Sequence, residues 1–232
     1  MTTTTASLSD LMPHVFYINL ATRTDRKAHI INQFKRVGIT AYERFDAIRL
    51  PSGDGRVGCT LSHLKCLEMA KERQYKTVLI CEDDTTFTKP SLFTNQFRKF
   101  MANHSKGGWD VVLIAGNNVP PYLTVDETCI KVTHCQTTTC YLVAQHYYDT
   151  LINNIKTGLK LLMQEPTKHI LYAIDMYWLH LQKRDNWFLI TPLTVVQKED
   201  YSDIEKRKTN YAALMTDIDK RGLMYRRTMT LP

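Results

Sequence analysis

Val78-Leu79-Ile80-Cys81 runs straight into Glu82-Asp83-Asp84. Three adjacent anions repel one another, and the end of a buried strand solvates them poorly. A divalent cation relieves that repulsion. Carboxylates at the carboxyl end of a sheet strand are where an open α/β fold holds a hard metal and a phosphate ligand. If the strand alternation continues through the triplet, Glu82 and Asp84 project to one side and Asp83 to the other. A solvated acidic turn is the bland alternative, and the apolar run in front tilts the reading toward a site. Three further stretches carry polar groups with chemical potential. Asn19-Leu20, with Arg23 and Arg26 close behind, sets an amide and two guanidiniums at the end of a first strand, where they could hold a diphosphate or nucleobase; from this stretch alone, exposed arginines at a helix start are the better reading. Gly58-Cys59-Thr60-Leu61-Ser62-His63 opens a helix whose small residues permit close backbone approach and whose amides attract anions, with His63 by itself reading as a structural hydrogen-bonding residue. Asp175, among Ile170, Leu171, Tyr172, Ile174, Met176 and Tyr177, must be paired, capping or catalytic, because burying it bare is costly.

The elements that must position these groups follow from periodicity. Strands are predicted at 14–20, 78–81 and 109–115, as short apolar runs suited to burial on both faces, and 41–47 suits a further strand. Helices are predicted between them: one carrying Ile30, Ile31, Phe34 and Val37 and stopped by Gly38, one over 58–74, and one after Pro90 with Phe93, Phe97 and Phe100. Strands near 129–134 and 138–144, helices at 147–155 and 170–183, and strands at 187–190 and 193–197 complete the pattern, with a basic helical tail from about Asp203. Strand–helix alternation in the first half indicates an α/β fold with a mostly parallel central sheet flanked by helices.

Composition bounds the class. The 232 residues are 44% hydrophobic and 23% charged, ordinary for a soluble globular protein and sufficient for a core without disulfides. Net charge is +7, and the stretch from Glu205 to Arg227, with seven Lys or Arg against three acids, supplies +4 of it. Such a tail suits a solvated face or contact with a membrane surface. It has no aromatic platform for nucleic acid, and no nucleic-acid partner is expected. Six cysteines show neither a C-x-x-C pair nor zinc spacing and read as free thiols of a reducing compartment. Neither a signal peptide nor an apolar run of about 20 residues is present, so a cytoplasmic protein is expected. Dinucleotide, P-loop and α/β-hydrolase signatures are absent.

Taken in order, these stretches resemble glycosyltransferase family 25, which includes lipopolysaccharide and collagen galactosyltransferases. The resemblance rests on Tyr17-Ile18-Asn19-Leu20 with Arg23, Asp25 and Arg26, on Arg44-Phe45-Asp46-Ala47, on Gly58-Cys59 with Leu61-Ser62-His63, and on Val78 to Asp84. Tyr141-Leu142-Val143, Ile174-Asp175 and Ser202-Asp203-Ile204-Glu205 follow as later landmarks. It implies an A-type glycosyltransferase fold, expected over 13–200; the Thr-rich start reads as a disordered 1–12 and the basic tail as a mainly helical 201–232. It also implies an inverting transfer of a hexose, galactose or glucose, from a UDP-sugar to a hydroxyl on a glycan or hydroxylated protein. A divalent ion, Mn2+ or Mg2+, would be held by Asp84 and Glu82. Asn19, Leu20, Arg23, Arg26, Ser62, His63 and Asp83 would bind the nucleotide-sugar, and Asp175 would be the general base. The chain departs from the family pattern at Thr137-Thr138-Thr139-Cys140, where a glycine is usual, and at Arg56-Val57, where an acidic–apolar pair is usual. It departs again at Gln197-Lys198-Glu199-Asp200, where A-type enzymes often supply a metal-binding histidine. The competing readings are a non-catalytic nucleotide-sugar-binding module and a metal-dependent phosphohydrolase.

Overall fold

The computed structural model describes residues 7–51 and 53–220. The chain begins with α1 (Leu8–Leu11), β1 (Val15–Asn19), α2 (Thr24–Val37), β2 (Glu43–Asp46), α3 (Gly55–Glu72) and β3 (Thr77–Glu82). It continues through β4 (Thr85–Phe87), α4 (Pro90–Asn103), β5 (Val111–Asn118), β6 (Tyr122–Thr124), β7 (Cys129–Val132), β8 (Cys135–Ala144) and α5 (Tyr148–Gln164). Three short helices follow, α6 (His169–Tyr172), α7 (Ile174–Tyr177) and α8 (Leu179–Arg184). The last elements are β9 (Trp187–Ile190), β10 (Val195–Gln197), β11 (Asp200–Ser202), β12 (Arg207–Thr209) and α9 (Ala212–Thr216).

Eight strands form one sheet in the order β2-β1-β3-β8-β5-β9-β7-β6. The parallel pairs β1·β2, β1·β3 and β5·β9, with antiparallel β8 and β7 set between them, leave six strands running one way and two the other. The side-chain period of two sends alternate residues to opposite faces. Phe16, Ile18, Val78 and Ile80 pack with α3 and α5 on one side, while Tyr17, Leu79, Cys81 and Leu142 pack with α2 and α4 on the other. Because β1 and β3 are adjacent and parallel, Ile18 sits opposite Glu82 and the two strands deliver Asn19 and the acid triplet to the same sheet end. That is the geometric reason a site forms here. Gly38 ends α2 at a φ of 77°, a left-handed stop that glycine adopts without penalty.

Several expectations need correction. Residues 7–12 are ordered: Ser7 caps α1 through a reciprocal capping box with Asp10, and Leu8 and Met12 are buried. The helix expected over 170–183 is broken into α6, α7 and α8, with Ala173 extended at ψ 149°. The tail is not mainly helical through 220, since β11 and β12 pair as a hairpin before the short α9. Its remaining basic residues, Arg221, Arg226 and Arg227, and residues 1–6 lie outside the described residues. Among the described residues, no helix is long and apolar enough to cross a membrane.

Candidate active site

β3 ends at Glu82, and Asp83-Asp84 form a turn before β4 begins at Thr85. Strand alternation therefore stops at Glu82, and the acids divide differently from the sequence expectation. Asp83 and Asp84 share one partner, the Arg26 guanidinium at 3.1 and 3.3 Å, while Glu82 points toward α3 and β8. The turn is fixed from both sides. Thr85 Oγ1 donates to the Glu82 and Thr139 carbonyls, and the Lys198 amide donates to the Asp84 carbonyl.

Asn19, buried at the end of β1, donates from Nδ2 to Asp83 Oδ2 at 2.7 Å and to the Arg23 carbonyl at 3.0 Å. Arg44 on β2 donates to Asn19 Oδ1 and to its carbonyl, locking the amide orientation. Asn19 is thus a positioning group for Asp83. The arginines are heavily engaged: Arg23 reaches Asp25, Asp200 and Asp203, and Arg26 reaches Asp200 and the Tyr201 carbonyl besides the acid turn. The β11–β12 hairpin is therefore strapped across this end of the sheet by ion pairs from the start of α2. Arg56 adds a pair with Glu205 at 3.0 Å. Sequence inspection missed this strap, because nothing local in Asp200 or Asp203 signals two distant arginines.

Glu82 Oε1 accepts hydrogen bonds from Thr138 Oγ1 at 2.5 Å and, with His63 Nε2 as the donor, at 3.2 Å; the Cys59 thiol stands at 3.8 Å. The other nitrogen of His63 bonds the Tyr141 hydroxyl at 2.9 Å, and the ring is fully buried. Glu82 Oε2 meets only the Gln197 amide, at 3.5 Å, among the described residues. Ser62, also buried, accepts from the Ile48 amide and donates to the Gly58 carbonyl. Its hydroxyl clamps the chain after β2 onto α3. Gly58 serves the same approach, since a Cβ there would stand 2.4 Å from the Ile48 carbonyl oxygen. The helix itself starts earlier, with Asp54 capping the amides of Arg56 and Val57, and the Gly58 amide donates to the Asp54 carbonyl. Its amides are satisfied inside the helix, so the expected anion-binding helix start at Gly58 is not formed.

Asp175 lies in the first turn of α7 and accepts the Thr137 amide at 3.1 Å. Thr137 sits at a φ of 81°, where glycine is the residue at ease and a β-branched side chain is strained. The departure noted at 137–140 is thus accommodated by strain, and Thr137 and Thr138 hold Asp175 and Glu82 from adjacent positions.

Electrostatics distinguishes the acids. Burial, reinforced by the Glu82 charge, pushes the Asp84 carboxyl up to about 8. Burial also raises Asp83, against the hydrogen bond from Asn19 and the charge of Arg26. Glu82 goes the other way: burial works to raise it, but the His63 and Thr138 hydrogen bonds and the Arg26 charge hold it below the usual range. Asp175 is raised, chiefly by burial and further by Glu82. Asp84 Oδ1 is buried without any hydrogen-bond partner.

Two adjoining cavities, of about 350 and 300 Å³, surround these groups. Leu20, Arg23, Arg26, Ser62, His63, Glu82, Asp83 and Asp84 line the first, with the hairpin residues Ser202 and Asp203. Asp175, Thr137 and Thr138 line the second, and Cys59, Glu82, Gln197, Ser202 and Ile204 border both. The structure so brings together every site residue the sequence singled out, with Asn19 just behind the wall. Cys59 was expected as one of six free thiols. It faces the cavities, and its spacing of four from His63 on one helix was the available signal.

Residues 51–108, spanning α3, β3, the acid turn and α4, match the family described as glycosyltransferase family 25 (LPS biosynthesis protein). A glycosyltransferase 25 family member from Anopheles gambiae is 25% identical over 195 residues, covering 72% of this chain and 31% of that protein. The chain thus spans about a third of the length of the curated relative it matches. A solved glycosyltransferase involved in glycosylation of the major capsid of PBCV-1 is similar at a TM-score of 0.52 and 12% identity, over 83% of this chain and 95% of that one. At that identity the likeness shows the fold alone. The two sequence matches support the resemblance to glycosyltransferase family 25.

Proposed function

We propose that this chain, whose sequence matches are to glycosyltransferase family 25, moves a hexose (galactose or glucose) from a UDP-sugar to an acceptor hydroxyl on a glycan or hydroxylated protein, inverting the anomeric centre. The observation that carries this reading is the pair of adjoining cavities, acids and arginines in one and Asp175 in the other, with Glu82 and Gln197 on the shared wall. A donor in the first cavity would present its sugar across that wall to an acceptor beside Asp175.

The residues fit a hard divalent ion, Mn2+ or Mg2+. Asp84 Oδ1 is a buried oxygen with no partner, and Glu82 Oε2 has only a long contact to Gln197. Asp83 is the poorer ligand, because Asn19 and Arg26 already occupy its oxygens. Held there, the ion would neutralise charge building on the departing nucleoside diphosphate. Arg23 and Arg26 line the same cavity, and their guanidiniums would reach the phosphates by exchanging their present carboxylate partners. Asp175, its proton affinity raised by burial, takes the proton of the acceptor hydroxyl as that oxygen attacks opposite the leaving group. The Thr137 amide, donating to Oδ2 at 3.1 Å, would hold the carboxylate in position. The cytoplasmic placement, expected from cysteines without C-x-x-C or zinc spacing, belongs to the same proposal.

Sugar transfer from UDP-galactose and UDP-glucose to a panel of glycan and hydroxylated-peptide acceptors, with Mn2+ and with EDTA, tests the proposal. Transfer that EDTA abolishes and Asp84→Asn removes is the expected result. Phosphate release without a sugar requirement would establish a phosphohydrolase instead, and donor binding without turnover would establish a binding module.

A further inference from the structure

At the far side of the sheet, four strand positions away from β3, His104, Asp126 and Cys129 converge. His104 caps the carboxyl end of α4, Asp126 lies in the loop between β6 and β7, and Cys129 opens β7. Their ligand atoms lie within 4.8 Å of one another. His104 Nε2 stands 3.2 Å from Asp126 Oδ2 and 3.7 Å from Cys129 Sγ, and Sγ stands 3.8 Å from Asp126 Oδ1. We infer that these three side chains form a binding site for Zn2+ or a similar borderline-soft divalent ion, independent of the transferase site and structural in role.

The edge lengths support this. With zinc bond lengths of about 2.3 Å to sulfur and about 2.0–2.2 Å to nitrogen and oxygen, tetrahedral ligands stand about 3.3 Å apart for N···O and about 3.5 Å apart for pairs with sulfur. The two His104 spacings, 3.2 Å to Asp126 Oδ2 and 3.7 Å to Cys129 Sγ, need only a few tenths of an ångström of adjustment. As hydrogen bonds, by contrast, the two sulfur contacts are long and weak. The surroundings pre-set the ligands. Asp126 Oδ1 accepts from the amide and hydroxyl of Thr128, leaving Oδ2 as the ligand oxygen, oriented by Asn103 Nδ2 at 3.0 Å. The His104 ring lies against Phe100 and Phe188, with centroids 4.6 and 5.5 Å away. Cys129 is buried while His104 and Asp126 are partly exposed, which leaves a fourth position for water on the open side. Loading displaces the Cys129 thiol proton to solvent and requires His104 to carry its proton on Nδ1, so one proton is released per ion. The ion would clip the end of α4 to the β6–β7 edge of the sheet.

Cobalt(II) titration tests the site, because a thiolate ligand gives a sulfur-to-cobalt charge-transfer band. Cys59→Ser serves as the background, so that the other Cys/His/Glu cluster cannot supply the thiolate. The expected result is one equivalent of Co2+ with that band, displaced by Zn2+. Cys129→Ser should lose the band, and His104→Gln should weaken binding by at least about tenfold. Circular dichroism reports whether each variant is folded, and if Cys129→Ser is not, His104→Gln decides. Absence of the band in the background protein, its persistence in folded Cys129→Ser, or unchanged affinity in His104→Gln would each overturn the site.

Discussion

Asp84 is costly to the protein that holds it. Its carboxyl is raised to about 8 by burial and by Glu82, while the same group in an unfolded chain titrates near 3.8. A group raised on folding adds stability that is complete below the unfolded value and is lost as pH climbs through the folded one. Metal-free protein should therefore lose stability between about pH 4 and 8 on this account, and Asp84→Asn should lessen the loss. Thermal melts in EDTA at pH 5 and pH 8.5 check it: the variant should gain over wild type at pH 8.5 and show little gain at pH 5. An equal difference at both values would mean that Asp84 is not the strained acid. With Mn2+ added, the order at pH 8.5 should reverse, since only wild type offers the carboxylate. Asp175 carries a different expectation. Its backbone tether to Thr137 would survive substitution by asparagine, so Asp175→Asn should keep donor affinity while kcat falls about 10²–10⁴-fold, the usual contribution of a positioned base. A parallel loss in donor affinity would make Asp175 a structural residue.

The elements show where sequence reading ended. β1, β3 and β5 were legible because apolar runs bounded by turn residues allow few alternatives, and Gly38 and Pro90 marked the end of α2 and the start of α4. The break at Ala173 was not, because neither glycine nor proline stands there, and what sets α7 apart is a distant contact, Asp175 with Thr137. Thr137 itself was opaque for the opposite reason, since a β-branched residue is the least expected occupant of a left-handed position. The hairpin of β11 and β12 was hidden by its polarity; it is held by Arg23 and Arg26, some 175 residues earlier. These long-range restraints make α7 vulnerable from behind. Gly158 on α5 lies against Tyr177, and a Cβ at that glycine would meet the ring at 2.8 Å. Gly158→Ala should push α7, and Asp175 with it, out of register. Such overpacking typically costs about 1–3 kcal/mol. The expected signature is a lower melting temperature with reduced kcat and little change in donor affinity. Unchanged kcat would show that α7 adjusts independently of α5.

For the molecule as a whole, a sheet with six strands in one direction collects Asn19, the acid turn and the strap at one end, while its two faces are filled by separate apolar clusters. The ion pairs of that end join α2, the acid turn after β3 and the hairpin. Its stability should consequently be more responsive to ligand than that of the sheet interior. A donor that binds only the folded chain stabilises it by about 2.7 kcal/mol at a hundred times its Kd. For a chain of this length, each kcal/mol moves Tm by roughly 2–4 °C, so a saturating UDP-sugar with Mn2+ should raise Tm by roughly 5–10 °C. UDP-galactose and UDP-glucose, compared with other nucleotide sugars and with UDP alone, would also identify the sugar, because the correct hexose adds contacts that UDP lacks. The increment should disappear in EDTA and in Asp84→Asn yet persist in Asp175→Asn, which separates donor binding from chemistry. No shift with any nucleotide sugar at saturating concentration, in protein shown to be folded, would remove the donor site from the proposal.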